Sequence, residues 1–253
     1  MTFISPLTGT AESVWADWVA PREWPGLDPE MLLDQPVVIL AAHPDDEVLG
    51  VGGLLSRLAA AGADIRLVWA TDGEASHPDS SEEFRADLPA VRREESAAAA
   101  DVLGLAAAAR THLALPDGGL AAHQAELATR LAELTPPGAT LLAPWSGDAH
   151  PDHEACGRAA RQVAETTGCG VLEFPIWMWS WARPDDPRVP WTAALRVSLD
   201  PPTRARKAEA IDCFHSQVEP VGPEPTDLAV LPPGVLAYFG RGHEVLLDTA
   251  VLL

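Results

Sequence analysis

Between residues 36 and 179 the sequence alternates between two kinds of text. Short apolar runs, "PVVILAA" (36–42), "DIRLVWATDG" (64–73), "THLALP" (111–116), "ATLLAPW" (139–145) and "CGVLEFPIWMW" (169–179), are separated by stretches with helical spacing at 48–62, 88–104, 118–134 and 152–168. Gly62, Gly104 and Gly168 follow the last apolar turn of three of these stretches. A glycine there adopts the left-handed conformation that stops a helix. Strand, helix, strand in regular repetition needs crossover connections, and crossovers build parallel sheets. The expected fold is therefore α/β and Rossmann-like, a mostly parallel sheet with helices on both faces and an elaborated C-terminal part.

The chain of 253 residues reads as one α/β domain over 1–253, long enough to bury a core without staples. Residues 1–35 form an N-terminal extension, with a short helix and a proline-punctuated lead-in that packs Trp15, Trp18 and Trp24 on the main body. From about residue 180 the pattern loosens into a C-terminal elaboration. It comprises a loop (181–191), a strand (192–200), a helix (202–217), a proline-rich loop (218–234) and a closing strand (243–253).

Composition narrows the partners. The net charge is −20 and no basic stripe occurs, which argues against binding nucleic acid. Cys156, Cys169 and Cys213 are odd in number, widely spaced and without a CxxC, so no disulfide framework is expected and a reducing cytoplasm fits. The N-terminal stretch lacks a basic n-region and a clean apolar h-region, and no signal peptide is expected. No apolar run approaches the ~20 residues of a membrane span.

The chemistry starts at "VVILAAHPDDEVLG" (37–50), where an apolar strand ends in a knot of like charge. A bound cation is one way to hold such a knot together. In an open parallel sheet, ligands bind beyond the carboxyl ends of the strands. A second cluster, "GDAHPDHEA" (147–155), follows "ATLLAPW" at another strand end and opens a helix. The candidate donors are His43, Asp45, Asp46 and Glu47, then Asp148, His150, Asp152 and His153. Alone, one such cluster could simply place acids at a helix N-terminus. Two on one rim favour a metal. Imidazole and carboxylate suit Zn2+, with three protein ligands and one open position. Two histidines and a carboxylate also describe an Fe2+ site. Spacing does not choose between Asp45 and Asp46 as the ligand.

The pair "AHPDDE" (42–47) and "HPDH" (150–153), about 105 residues apart, resembles the PIG-L/LmbE family of zinc-dependent de-N-acetylases. The resemblance covers roughly residues 36–217 and implies a Rossmann-like fold. By position it implies His43, Asp46 and His153 as metal ligands and Asp45 as the base for the attacking water. It makes His150 the oxyanion stabiliser and the acid for the leaving amine, with Asp152 orienting it and raising its pKa. Arg92 in "RREESAAAADVLG" and Asp117 in "LPDGG" would bind substrate hydroxyls, and "KAEAIDCFHSQ" (207–217) would bring a helix to the rim. Without the resemblance, Arg92 and Glu95 also fit a surface i,i+3 pair, and Asp117 a plain turn.

The function this implies is a cytoplasmic, zinc-dependent hydrolase acting on a linear amide C–N bond. It would remove acetyl from an N-acetylated amino sugar such as N-acetylglucosamine or its conjugate. The alternative is an amidase acting on a thiol conjugate or another non-acetyl amide. The partner is a small-molecule amino-sugar conjugate, not a membrane or nucleic acid, and a homo-oligomer is compatible with the chain. Asp148-Ala149 occupy the place where some sugar-deacetylating members carry a tyrosine. Tyr238, the one tyrosine, would have to reach the site from a C-terminal loop. His77-Pro78-Asp79 imitates the motif but lacks its second acid. "GVGG" (50–53) is not a dinucleotide fingerprint. The aromatic segment "FPIWMWSW" (174–181), with Trp191, serves either the core or a stacking wall.

Overall fold

The computed structural model describes residues 9–224 and 227–249. In chain order the main elements are α1 (Glu12–Val19), β1 (Val37–Ala41), α2 (Asp46–Ala60), β2 (Ile65–Trp69), α3 (Glu82–Val102), β3 (Ala109–His112), α4 (Gln124–Leu134) and β4 (Thr140–Pro144). They continue as α5 (Pro151–Thr167), β5 (Gly170–Phe174), α6 (Met178–Trp181), β6 (Ala194–Ser198), α7 (Pro201–Asp212), α8 (His215–Val218) and β7 (His243–Leu247). Among the described residues the strands form one sheet in the order β3-β2-β1-β4-β5-β7-β6. The first five are parallel, and β7 joins β5 and β6 antiparallel. The sheet is thus mostly parallel, as the alternation implies.

The chain runs outward from β1 through β2 to β3, then returns to the other side of β1 as β4. That reversal leaves a crevice beyond the carboxyl ends of β1 and β4, where open α/β sheets bind ligands. The two charged motifs follow those two strands. β1 pairs with β2 from Val37↔Ile65 to Ala41↔Trp69 and with β4 from Val37↔Thr140. Successive β1 residues face opposite cores. Val37, Ile39 and Ala41 pack in the cluster that includes α2, α3 and α7 side chains, such as Leu54, Leu58, Ala99 and Ile211. Val38 and Leu40 pack against Leu127 and Leu131 of α4 and Ala159 and Val163 of α5. A strand covered on both faces reads as a continuous apolar run rather than an alternating one.

Helix α5 lies close against β4. A Cβ on Gly157 would stand 2.7 Å from Pro144 O, so glycine is required there. Gly168 ends α5 in the left-handed conformation, its N–H donating to Ala164 O. Helix α3 begins earlier than its apolar pattern suggests. Ser81 Oγ accepts from Phe84 N–H as the N-cap, and Pro89 sits inside the helix. Residues 118–123 are turns rather than the first turn of α4, and Pro175 ends β5 before the single turn of α6. The closing strand ends at Leu247, with residues 250–253 outside the described residues.

Among the described residues of the N-terminal extension, the tryptophans pack on the main body. Trp15 is fully buried and donates from Nε1 to Trp179 O at 2.7 Å, while Trp24 stacks on Trp191 at 6.0 Å. Helix α2 is broken at Val51 (φ −138°, ψ 17°). Glu244 of β7 accepts from Gly53 N–H and Leu54 N–H, and Lys207 of α7 donates to Leu49 O and to Glu244. A buried ion pair from the C-terminal part therefore satisfies the backbone groups freed by the break. Among the described residues no helix is long and apolar enough to cross a membrane.

Asp72, just past β2, ties three elements together. It accepts from Arg93 of α3 at 2.8 and 2.5 Å and lies 2.9 Å from His112 Nδ1 of β3. Burial would raise its pKa, but the bonds to His112 and Arg93 outweigh burial and bring it down to about 2. A depressed carboxylate contributes stability that is present above its unfolded pKa of about 4 and lost as pH falls through its folded value. Urea denaturation of the wild type and Asp72→Asn should show a constant difference between pH 7 and about 5. That difference should shrink steadily below about pH 4.

Candidate active site

Asp46 anchors the first motif. Its Oδ2 accepts from the N–H groups of Ala42 and His43 at 3.0 and 2.9 Å, folding the HPDD turn back on the end of β1. The same oxygen is 3.6 Å from His43 Nδ1, and Asp46 Oδ1 is 3.3 Å from His153 Nε2. Asp45 takes the strain of the turn, with φ +120°, a value that non-glycine residues avoid. Such a conformation costs on the order of 1–3 kcal/mol and persists only where neighbours hold it. The neighbours here are Glu47 Oε2, which accepts from Asp45 N–H, and Arg92 Nη2, 3.0 Å from Asp45 Oδ2.

The second motif enters from β4 through Ala149, also at positive φ. It places His150 at the N-cap of α5 and buries Asp152 and His153 in the first turn. Asp148 orients His153. Its Oδ2 is 2.7 Å from His153 Nδ1, and its two oxygens accept from the N–H groups of Ile176, Trp177 and Met178. His153 Nδ1 is thereby the protonated nitrogen when the ring is neutral, and Nε2 is left as a ligand atom. Nε2 is buried and makes no hydrogen bond.

The imidazoles of His43, His150 and His153 converge, with ring centroids 4.6–5.4 Å apart. Their nitrogens could hold one ion, and so could His43 with Asp117 and Asp152. Asp46, in contact with both His43 and His153, completes a donor set of imidazole nitrogens and a carboxylate. The unbonded His153 Nε2 within this set fits a divalent cation of the Zn2+ or Fe2+ kind. Burial would lower the pKa of His43, but its bonds to Asp117, Asp152 and Asp46 raise it well above the usual histidine value. His153 is likewise brought up to about 9 against burial, by Asp46 and Asp148. Burial raises Asp45 to about 7 even though Arg92 opposes it.

Two expected arrangements differ, and one alternative is ruled out. The Asp152 carboxylate accepts from Gly118 N–H and Leu120 N–H and lies 3.4 Å from His43 Nε2, while His150 Nδ1 accepts from the Asp152 backbone N–H. The pKa of His150 is not raised. Burial, His153 and His43 push it down to about 2. His150 is thus a neutral imidazole with its proton on Nε2. Arg92 and Glu95 do not pair on the surface. Both are buried, with Glu95 accepting from Ser216 N–H and Oγ at 2.7 Å and Arg92 donating to Asp45, Pro44 O and Gly73 O. Gly73 has φ +69°, and a Cβ on it would collide with that guanidinium. Asp117 lies 3.1 Å from His43 Nε2 and accepts from Ala75 N–H.

A cleft of about 380 Å³ opens above these groups, lined by all three histidines and by Asp45, Asp46, Arg92 and Asp117. Residues with no role assigned from the sequence also line it, among them Ser76, Pro78, Trp177, Gln217 and Leu231. Two of these carried a hint: Trp177 in the aromatic segment, and Gln217 at the end of the helix expected near the rim. The aromatic segment divides its work: Trp179 is core, and Trp177 faces the cleft. Tyr238 donates to Thr10 O and is not among the residues lining the cleft. His77 is buried edge-on against Phe84, while its neighbours Ser76 and Pro78 reach the cleft.

Fold and cluster together define a doubly wound α/β protein with a His/Asp cluster at its switch point that could hold a metal ion. A family model described as PIG-L: GlcNAc-PI de-N-acetylase matches residues 38–164, half of the chain. The chain belongs to that family. A Kineococcus radiotolerans protein named 1D-myo-inositol 2-acetamido-2-deoxy-alpha-D-glucopyranoside deacetylase is 29% identical to it, over 82% of this chain and 66% of that protein. The chain thus spans just under two thirds of that relative's length. A conserved protein from Thermus thermophilus is 28% identical over 75% of this chain and 82% of its own, with a TM-score of 0.52. The N,N'-diacetylchitobiose deacetylase of Pyrococcus horikoshii shares the fold at 20% identity, covering 74% of this chain and 73% of its own, with a TM-score of 0.54.

Asp148 supplies the acceptors for three backbone amides and one imidazole without contact with solvent. Removing one partner of such a buried ionic set costs about 3–5 kcal/mol. Asp148→Ala should lower the urea midpoint accordingly, read from equilibrium denaturation with an unchanged slope.

Proposed function

We propose that the chain is a metal-dependent amide hydrolase that removes the acetyl group from an N-acetylated amino sugar or its conjugate, releasing acetate and a free amine. The observation that carries this reading is the convergence of His43, Asp46 and His153 beside Asp45, with His153 Nε2 buried, unbonded and 3.3 Å from Asp46 Oδ1. Membership of a de-N-acetylase family and the name of the Kineococcus relative support the acetamido sugar as substrate.

In this reading His43, Asp46 and His153 hold the metal. When bound, a zinc or iron(II) ion supplies Lewis acidity to water and to the amide carbonyl. Asp45 lines the cleft beside them and takes the proton of the attacking water. A carboxylate whose pKa is near 7 accepts a proton and returns one at neutral pH. Asp45 then returns that proton to the leaving nitrogen, so the proton taken from water ends on the amine. His150 donates its Nε2–H to the developing oxyanion, as a neutral imidazole can. Arg92 holds Asp45 in place and Asp117 holds His43, while both keep an edge in the cleft for sugar hydroxyls.

Asp45→Asn keeps the shape but not the base and should lower kcat for acetate release by about 10²–10⁴-fold. Chelation should abolish release and added zinc restore it. The metal-free site carries protons on His43 and His153, and an incoming ion must displace them. The apparent zinc affinity should therefore rise between pH 6 and 8, about tenfold per pH unit for each proton displaced. Calorimetric titrations in buffers of different ionisation enthalpy count those protons; an affinity that is flat across this range contradicts the assignment.

A further inference from the structure

Gln217 of α8 lines the cleft at only 1% exposure. Its backbone is held from two sides. The N–H donates to Phe214 O at 2.8 Å, and the O accepts from Leu231 N–H at 2.9 Å. The carboxamide is held as well. Nε2 donates to Ser216 Oγ at 2.9 Å and to Ser76 Oγ at 3.3 Å. Those two bonds use both hydrogens of the amide nitrogen.

Ser216 dictates which end of the carboxamide it meets. Its N–H and Oγ both donate to the Glu95 carboxylate at 2.7 Å. A carboxylate only accepts, so the one hydroxyl hydrogen is spent on Glu95 and lone pairs remain toward Gln217. Gln217 must answer with N–H. Turned over, its Oε1 would face those lone pairs. Oε1 therefore points away from Ser216, and among the described residues nothing donates to it. A carbonyl oxygen buried without a donor is costly, and this one belongs to the wall of a cleft. The same scaffold holds the groups proposed for sugar hydroxyls. Glu95 lies one turn along α3 from Arg92. Ala75, next to Ser76, donates its N–H to Asp117 Oδ2 at 2.8 Å. Asp117 and Gln217 are thus tied to adjacent residues of one loop.

Resting on the deacetylase reading, we infer that Gln217 is a specificity residue whose Oε1 accepts a hydrogen bond from one ring hydroxyl or the hydroxymethyl group of the acetamido sugar. Glu95 and Ser216 fix the carboxamide with its acceptor end toward substrate, so this position selects a donor. A sugar with a hydroxyl there is retained. One with hydrogen there leaves the acceptor unpaired and is rejected.

The test uses the zinc-loaded full chain and the methyl glycoside of N-acetylglucosamine, with its 3-, 4- and 6-deoxy analogues and the matching deoxyfluoro sugars. Acetate release gives kcat/KM for each. At one position the deoxy sugar should fall about tenfold or more below the parent. The deoxyfluoro sugar should fall with it, because fluorine does not donate. Gln217→Met keeps the length but not the acceptor. It should lower the parent by about the same factor and no longer distinguish it from that deoxy sugar. Hydroxyls met by Asp117 or Arg92 keep their effect in the variant. A merely structural role would lower every sugar alike. Where Gln217→Met does not fold, Ser216→Ala serves: it keeps the N–H to Glu95, lets the carboxamide turn, and should shrink the same discrimination about threefold. A wild type indifferent to all three hydroxyls, a uniform loss in the variant, or retention of the deoxyfluoro sugar at the coupled position overturns the inference. No acetate from the parent glycoside counts against the deacetylase reading instead. Tryptophan fluorescence titration of the same sugars then decides the contact separately: the same coupling in Kd sustains it, and its absence overturns it.

Discussion

The structure depends on compensating the charge of five aspartates. Asp45, Asp46, Asp117, Asp148 and Asp152 crowd round three imidazoles at the end of the sheet, and Asp148 and Asp152 have no exposed surface. Isolated carboxylates cannot be desolvated like this. Each is met in its own way. Asp148 and Asp152 are met by backbone N–H groups and a histidine, Asp46 by N–H groups and two histidines, Asp117 by His43, and Asp45 by Arg92. The switch point supplies what makes this feasible, because two strand ends and two helix starts deliver many free N–H groups to one small volume.

That compensation also distributes the chemistry. The carboxylates tied to N–H groups are fixed in direction. Asp45 has no such cradle. Its support is Arg92 on one oxygen and a strained backbone, and it stays closest to neutral basicity. His150 accepts a backbone amide at Nδ1, and burial beside the other two imidazoles pushes its pKa down. Groups of the same type thus take different tasks according to how their neighbours neutralise them.

Much of this is legible in the sequence, for reasons of period. The alternation of apolar runs and helical spacing yields the parallel sheet, and the position of each motif after a run puts His43, Asp46 and His153 on one rim. What is not legible depends on direction rather than spacing. In "HPDH", nothing in the letters says that Asp152 turns its carboxylate to His43 and offers only its amide to His150. Arg92 and Glu95 are three apart on a helix, which suits mutual pairing, yet two packed neighbours pull them apart, the Asp45 turn and Ser216. Trp177 and Trp179 sit two apart in a single helical turn, so one enters the cleft and the other the core. The early start of α3 was hidden because Pro89 looks like a first-turn residue, whereas Ser81 already caps the helix. The antiparallel β7 and β6 carry no crossover signature, since they are joined to the sheet from its far side.

The break in α2 has a consequence for how such a chain can change over time. Lys207 and Glu244 come from the C-terminal third, outside the span that matches the family model, yet they complete the backbone of the helix that begins with Asp46. Neither can be exchanged alone without stranding the other's charge in the interior. The two positions are therefore bound to drift as a pair or not at all. A segment cut at residue 164 would lose both at once, along with the partners of Leu49, Gly53 and Leu54. The portion of the chain that carries the family's signature is not the portion that can be transplanted with its site intact.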